Sequence, residues 1–361
     1  MSTLPPPLNF ALVGCGAIAT TQANAMRELP ALARLSHCVD EDPAKAAAFA
    51  AKYKLSAASW VEVLANPHID AIALCVPSGL HARIGAEALR AGKHLIIEKP
   101  MAVSVAECTE LIDAQQATGR QLAIICQHRF DPASQAIHAL LQKNALGRLV
   151  AAEVRIAWYR TQEYYDSGAG RGTWAMDGGG CLMTQGIHTL DLLLWFCGPV
   201  REVSARVATA AHQRIEVEDL VCATLTFANG ALGTLFASTA TYPGFPARLA
   251  LHGTEGTAVL EGDELHILAL KGQPVVNGPP ASAHALQIAT GGTRLATQET
   301  AASSTDSAWK WGDAHREQFT DFIAAIHENR PPLVDGEAGR AAVALIQAIY
   351  QSSRSGLPVR L

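Results

Sequence analysis

The sequence predicts an α/β protein in two parts: a doubly wound parallel sheet at the amino end, then an α+β region. Three observations carry this. Short continuous apolar runs alternate with helical patterns over the first third of the chain. A glycine-rich turn, Gly14-Cys15-Gly16, joins the first of those runs to the first helical pattern. After about residue 128 the alternation stops and strands follow one another directly. Continuous apolar strands between helices are buried on both faces, the parallel case; strands in succession are the antiparallel case.

Taken in order, Asn9–Gly14 reads as a strand, Ala17–Glu28 as a helix and Leu35–Asp40 as a second strand. Asp42-Pro43 opens the next helix, since aspartate caps free amides and proline fits the first turn. Ala71–Val76 is the third strand, and the helix His81–Ala91 stops at Gly92. His94–Glu98 is the fourth strand, Val105–Thr118 a helix stopped by Gly119, and Leu122–Cys126 the fifth strand. Pro132–Lys143 is helical and Ala151–Tyr159 alternates as a longer strand. Cys181–Phe196 is strongly helical and ends at Gly198-Pro199, a stop signal. Strands are then expected at Val203–Val207, Leu220–Phe227, Ala231–Thr241, Arg248–His252, Thr257–Glu261 and His266–Leu270, with Asn229-Gly230 as a hairpin turn. Pro274–Asp306 has no periodicity and reads as a long loop. His315–His327 and Glu337–Ser352 finish the chain as helices.

Composition narrows the function. The chain has 361 residues, enough for two domains, and 49% hydrophobic against 17% charged residues support a sizeable core. A net charge of −5 argues against nucleic acid or an anionic membrane as the main partner. No apolar run reaches the length of a membrane span. The first seven residues hold no basic, signal-like segment, so a cytoplasmic location is expected. The cysteines, at 15, 38, 75, 108, 126, 181, 197 and 222, form no CxxC pair and lie mostly in apolar runs. Buried free thiols are expected rather than disulfides or zinc.

Gly14-Cys15-Gly16-Ala17-Ile18-Ala19 fits G-x-G-x-x-A between a strand and a helix, the context in which this motif binds a dinucleotide. Gly14 permits the tight turn, Gly16 lets a pyrophosphate approach the backbone, and the helix start at Ala17 and Ile18 offers amides. Asp40 ends the second strand 26 residues after Gly14. Its carboxylate can accept from ribose hydroxyls and would repel a 2′-phosphate, so NAD is expected over NADP, with Arg34 the one feature pointing the other way. Pro77-Ser78-Gly79-Leu80-His81 follows the third strand at the same sheet edge, which puts Pro77, Leu80 and His81 within the expected cofactor region. Glu98-Lys99-Pro100 ends the fourth strand there too. Proline holds the preceding backbone extended, so Lys99 projects from the strand tip as a candidate proton carrier beside the dinucleotide.

A second constellation leads into the long helix. At α-helical spacing Thr184 and His188 share a face, with Gln185 three residues before His188 and Asp191 three after. Such a polar stripe needs partners if buried, and sugar hydroxyls would supply them; Asp191 could instead fix the tautomer of a core His188. His188 and Asp191 lack a third ligand at helical spacing, so no metal is expected. Tyr159, Arg160, Tyr165, Arg171 and Trp174 precede this helix. Aromatic faces stack on sugar rings, and arginine reads hydroxyls or a carboxylate.

Together these residues resemble the Gfo/Idh/MocA oxidoreductases. The resemblance rests on the Gly14–Ala19 fingerprint, Ala91-Gly92-Lys93-His94 leading into Glu98-Lys99-Pro100, and His128-Arg129-Phe130. It continues through Gly178–Gly180, Gly186-Ile187-His188, Asp191 and Val334-Asp335-Gly336-Glu337. It implies a Rossmann domain over residues 1–127 and a substrate-binding and oligomerisation domain over 128–361. The second would hold a large, mostly antiparallel open sheet that forms homodimers or homotetramers. It also implies Glu98 and Lys99 at the cofactor, Lys99 as acid/base or orienting residue, and His188 as its partner. The implied substrates are sugars, sugar acids, inositols or nucleotide sugars. Many members carry aspartate four residues before that histidine; here the position is Thr184, which cannot serve as a carboxylate base. Thr184-Gln185 is more similar to a branch with Asn or Thr there, some of whose members act on nucleotide-linked sugars.

The activity expected is reversible NAD-dependent oxidation of a secondary alcohol, with Lys99 or His188 taking the hydroxyl proton. A free lysine titrates near ~10.4; burial and a positive nicotinamide would lower it towards about 7–8. Two alternatives stand beside this: a glycosidase that oxidises and re-reduces its sugar with no net redox, and a non-enzymatic dinucleotide-dependent sugar sensor.

Overall fold

The computed structural model describes residues 6–168, 170–277 and 312–361. From residue 278 on, the expected loop Pro274–Asp306 lies outside them. The described residues form two compact units, each with its own sheet.

In the first unit, strands β1 (Leu8–Val13), β2 (Ala33–Val39), β3 (Ser56–Ala57), β4 (Ala71–Leu74), β5 (His94–Ile97) and β6 (Leu122–Ile124) make a six-stranded sheet. Its order is β3-β2-β1-β4-β5-β6, and every pair is parallel. The two-residue β3 and the six-residue helix Trp60–Ala65 are too short to show a period in the sequence pattern. That helix starts on a capping box in which Ser59 and Glu62 satisfy each other's amides. The order reverses between β1 and β4, the switch point where such sheets bind ligands beyond their carboxyl ends.

The unit is completed from far along the chain. Helix Asp313–Glu328 lays Phe319 edge-on to Phe10 (ring centroids 5.9 Å apart), with Phe322 at 6.4 Å. Gln318 Nε2 donates to the Ile124 carbonyl (2.7 Å), and the Ile124 amide donates to the Val334 carbonyl (3.1 Å), closing the edge strand β6. The stretch from helix Asp313–Glu328 through Val343 groups with the first unit, whereas the expected boundaries assign it to the second. Alternation of apolar residues places these helices against a sheet without saying which one.

The second unit holds nine strands: β7 (Leu149–Ala157), β8 (Val200–Ala208), β9 (Leu220–Phe227), β10 (Leu232–Ser238), β11 (Arg248–Gly253), β12 (Gly256–Glu261), β13 (Glu264–Leu270), β14 (Val276–Asn277) and β15 (Val359–Arg360). Their order is β14-β13-β12-β11-β7-β10-β9-β8-β15. Only β7 and β10 run parallel; the other seven pairings are antiparallel. Helices Pro132–Gln142 and Ile187–Cys197 pack on one face. The other face carries Glu153, Arg155, Arg206, Cys222, Thr224 and Phe236 on alternate positions, as an open concave surface. Six cysteines are buried as expected, Cys15 is half-buried, and Cys222 is exposed on this open face.

Candidate active site

Strand register aligns the nucleotide side of the site. Val39, Val13, Leu74, Ile97 and Ile124 form one row across β2, β1, β4, β5 and β6. The next residue on the first four strands is Asp40, Gly14, Cys75 and Glu98, with Lys99 one further. Three sequence signals, the Gly14 turn, Asp40 and Glu98-Lys99, thus end at one sheet edge.

Gly14 is required by geometry. Its φ is +93°, and a Cβ there would lie 2.7 Å from the Cys75 carbonyl group. At Gly16 a Cβ would meet nothing within 4 Å, so the loop presents bare backbone outward. Helix Ala17–Arg27 begins with no side-chain cap and no acid in its first turn, leaving its amides and dipole available to an anion. The Asp40 carboxylate accepts from the Cys15 amide (2.8 Å) and the Asp42 amide (2.9 Å), which holds it beside the glycine turn. This chemistry fits a dinucleotide: pyrophosphate on the helix start, ribose on Asp40.

Other predicted residues are placed differently. Pro77 is exposed and Leu80 half-buried in the turn after β4. His81 is buried, with Nδ1 2.8 Å from the Pro100 carbonyl and Nε2 2.9 Å from the Val76 carbonyl. It braces two strand-end loops and does not face outward, so its expected cofactor contact is replaced by a structural one. Burial dominates its titration and lowers its pKa. Glu98 is also buried and accepts from Gln22 Nε2 (2.6 Å), tying the β5 tip to helix Ala17–Arg27. Burial raises its pKa against the opposing pull of Lys99 and Gln22. Lys99 is half-buried at the strand tip.

In the second unit the segment expected to be one helix has two parts. Cys181–Gly186 is a π turn, and the α-helix runs from Ile187 to Cys197. Glu218, which the sequence pattern does not single out, anchors the π turn. Its carboxylate accepts from the Gly180 amide (2.7 Å), the Leu182 amide (3.0 Å) and the Tyr350 hydroxyl (3.0 Å). Its backbone carbonyl takes the Cys181 amide (2.9 Å). A Cβ at Gly180 would fall 1.7 Å from that carbonyl oxygen, which explains a glycine there.

Asp191 requires a correction. Its carboxylate accepts from Arg129 Nε (2.8 Å) and a terminal guanidinium nitrogen (2.7 Å), both side chains buried. Arg129, and not His188, is the side chain that engages it. Arg129 also lies over the Trp195 ring, 5.4 Å from its centroid. What packs beside His188 is His128, edge-on with ring centroids 5.2 Å apart. His128 Nδ1 meets Asp131 (2.6 Å) and Asp263 (3.2 Å). Burial works against its charge, but these two hydrogen bonds outweigh burial and raise its pKa to about 10. Both carboxylates address one ring nitrogen, and the three side chains lie close enough to one another to hold either a shared proton or a metal ion.

Thr184 turns its hydroxyl back to the Gly180 carbonyl (2.8 Å). Gln185 accepts from Arg160 (2.9 Å) and donates to the Tyr164 hydroxyl (2.9 Å). Arg171 lies over the Tyr164 ring. Tyr165 is buried, its hydroxyl 2.7 Å from Thr239 Oγ1, so it belongs to the core and not to a substrate surface. Tyr159 and Trp174 are exposed, edge-on to Tyr242 and Tyr350. Tyr164 and its neighbour Tyr165 offer the same signal in sequence, and only burial separates them.

Comparison with known proteins adds the following. A family model described as an oxidoreductase family with an NAD-binding Rossmann fold matches residues 8–125, and a GFO/IDH/MocA C-terminal domain matches residues 134–259. The WlbA dehydrogenase of Bordetella pertussis, solved with NADH and UDP-GlcNAcA, is 30% identical with a TM-score of 0.86 over 99% of each chain. Inositol 2-dehydrogenase of Rhizobium meliloti is 26% identical over 352 residues, 96% of each chain. An uncharacterized oxidoreductase of Synechocystis is 29% identical over 218 residues, and there the match spans 56% of this chain and 58% of that protein.

Proposed function

Because the chain belongs to the GFO/IDH/MocA family of NAD-binding oxidoreductases, we propose that it reversibly oxidises a secondary alcohol of a sugar, sugar acid, inositol or nucleotide sugar. The observation that carries this reading is the row of strand ends in the first unit. It sets Lys99 on the same edge as Gly14 and Asp40. Bound NAD supplies the hydride acceptor. Lys99 is the group assigned the hydroxyl proton, with His188 the other candidate for that role. Asp40 favours NAD over NADP, because a 2′-phosphate beside its carboxylate would be repelled. The UDP-GlcNAcA in the WlbA structure and the substrate named by inositol 2-dehydrogenase support a polyhydroxylated ligand. The open face of the nine-stranded sheet pairs with a second copy, and a thiol-rich chain without disulfides suits the cytoplasm.

The test is a screen of sugars, sugar acids and inositols with NAD and with NADP, reading NADH formation. Stoichiometric NADH is expected with one of these polyols; product release without NADH would point to oxidation and elimination instead. Lys99→Ala should abolish turnover, by at least about 10²-fold, while NADH still binds with near-native affinity. Near-full activity in that variant, or tighter binding of NADPH than NADH, would sink the corresponding part of the proposal.

A further inference from the structure

We propose that Arg160 and Arg171 form an anion-reading pair, so that the preferred substrate carries a negatively charged oxygen group, a carboxylate or a phosphate. This rests on the reading of the His188 helix as the substrate side.

Both guanidinium groups address one aromatic ring. The Arg171 guanidinium carbon lies 4.3 Å from the Tyr164 centroid and that of Arg160 5.3 Å, so the two charges are within about 10 Å of each other. Two cations held that close repel across a gap comparable to a Debye length, unless an anion lies between them. Arg214, by contrast, is neutralised by Asp166 at 2.6 Å. Among the described residues no carboxylate lies within ion-pair distance of Arg160 or Arg171.

The surrounding acids are committed elsewhere. Asp166 also accepts from Gln162, Asp177 accepts from the Gly172 amide (2.6 Å), and Glu216 accepts from the Trp174 amide (3.1 Å). Arg160 is half-buried, and its Nε is shielded from water with no acceptor. The shielded Nε lies out of a ligand's reach, whereas Nη1 is not shielded and makes no hydrogen bond among the described residues, so it is the donor a bound oxyanion would meet.

The pair is built in place. Gln185, three residues before His188, accepts from Arg160 and donates to Tyr164, so one side chain sets both the guanidinium and the ring that carries its partner. Arg171 sits between Gly170 and Gly172, whose φ values are +86° and +75°. A Cβ at Gly172 would come 2.7 Å from Ile215 Cγ2, so the turn that presents Arg171 closes against the unit. Guanidinium groups held by ring stacking lose little freedom when they fork onto a carboxylate or phosphate.

The experiment compares the full chain with R160Q, R171Q, R171K and the double glutamine variant. Three probes are used: a neutral hexose, the matching uronic acid and the hexose phosphate. Two readouts are taken: kcat/KM with NAD, and the thermal shift of NADH-loaded protein with each sugar. The parent protein should prefer an anionic sugar over the neutral one, and whichever anion ranks first names the group. The ratio of anionic to neutral kcat/KM should fall at least about tenfold in each glutamine variant, through KM more than kcat, and R171K should retain part of it. Equal use of neutral and anionic sugars by the parent, or an equal loss on both in the variants, would overturn the proposal. If no sugar is turned over, the dehydrogenase reading fails by itself. An acid-specific thermal shift that disappears in the double variant would still uphold the anion site, and its absence would refute it. R171Q changes an exposed side chain, so it tests the idea even if R160Q folds poorly.

Discussion

Asp191 has two acceptor oxygens, and both are spent on Arg129. Its side chain is 1% exposed and that of Arg129 7%, so water screens neither charge. Breaking such a pair leaves an uncompensated buried charge and costs about 3–5 kcal/mol, whereas replacing both partners by apolar groups can be neutral. Arg129→Met should therefore lower unfolding stability by that amount in urea titration, and adding Asp191→Leu should recover much of it. A loss below about 1 kcal/mol in the single variant would show that the pair is not what holds this helix. The spacing of Asp191 from His188 was readable in the chain and pointed to the wrong partner. Position i+3 on a helix says which side chains can meet, not which residue 62 positions upstream competes for the carboxylate. His81 and Tyr165 repeat the lesson: each has the right chemistry in the right segment, and each turns inward to satisfy backbone or core hydroxyls.

At the scale of elements, the helix that bears His188 does not begin as an α-helix. The π turn Cys181–Gly186 widens the backbone exactly where α spacing would put Thr184 on the His188 face. Glu218 stabilises this turn by taking the amides on either side of Cys181. A carboxylate arriving from the segment just before β9 leaves no local mark in the sequence around Gly180. The 3₁₀ turn Gln127–Phe130 is the other element beside His188, through His128. The folded-state pKa of His128, about 10, lies above the ordinary 6.5. Its contribution to stability is thus fully present below about pH 6.5 and is lost as pH rises through about 10. Wild-type stability should decline between those values more steeply than that of His128→Asn, read as denaturation midpoints across the range. Parallel pH profiles would show that His128 is not the titrating group.

At the scale of the whole molecule, one face of the nine-stranded sheet is left open among the described residues. Phe236 and Cys222 stand among its charged and polar neighbours Glu153, Arg155 and Arg206. An apolar centre ringed by charges of both signs suits a self-complementary contact. Light scattering should report a dimer or tetramer for the full chain, and Phe236→Glu should shift it to smaller species while each unit keeps its fold. A monomeric parent protein would remove the sheet from consideration as an interface.

The sequence alone determined the parallel α/β sheet, its glycine turn, the Asp40 and Lys99 strand ends and the change to an antiparallel region near residue 128. Those features are local: period, breaker residues and a motif between a strand and a helix specify them within a few residues. Tertiary structure decided which groups remain available for chemistry. It gave Asp191 to Arg129, buried Tyr165 and His81, bent the His188 helix start around Glu218 and returned the helix Asp313–Glu328 to the first unit. Each outcome depends on a buried polar group finding a partner distant in the chain. Burial makes that pairing obligatory, and local pattern cannot name the partner.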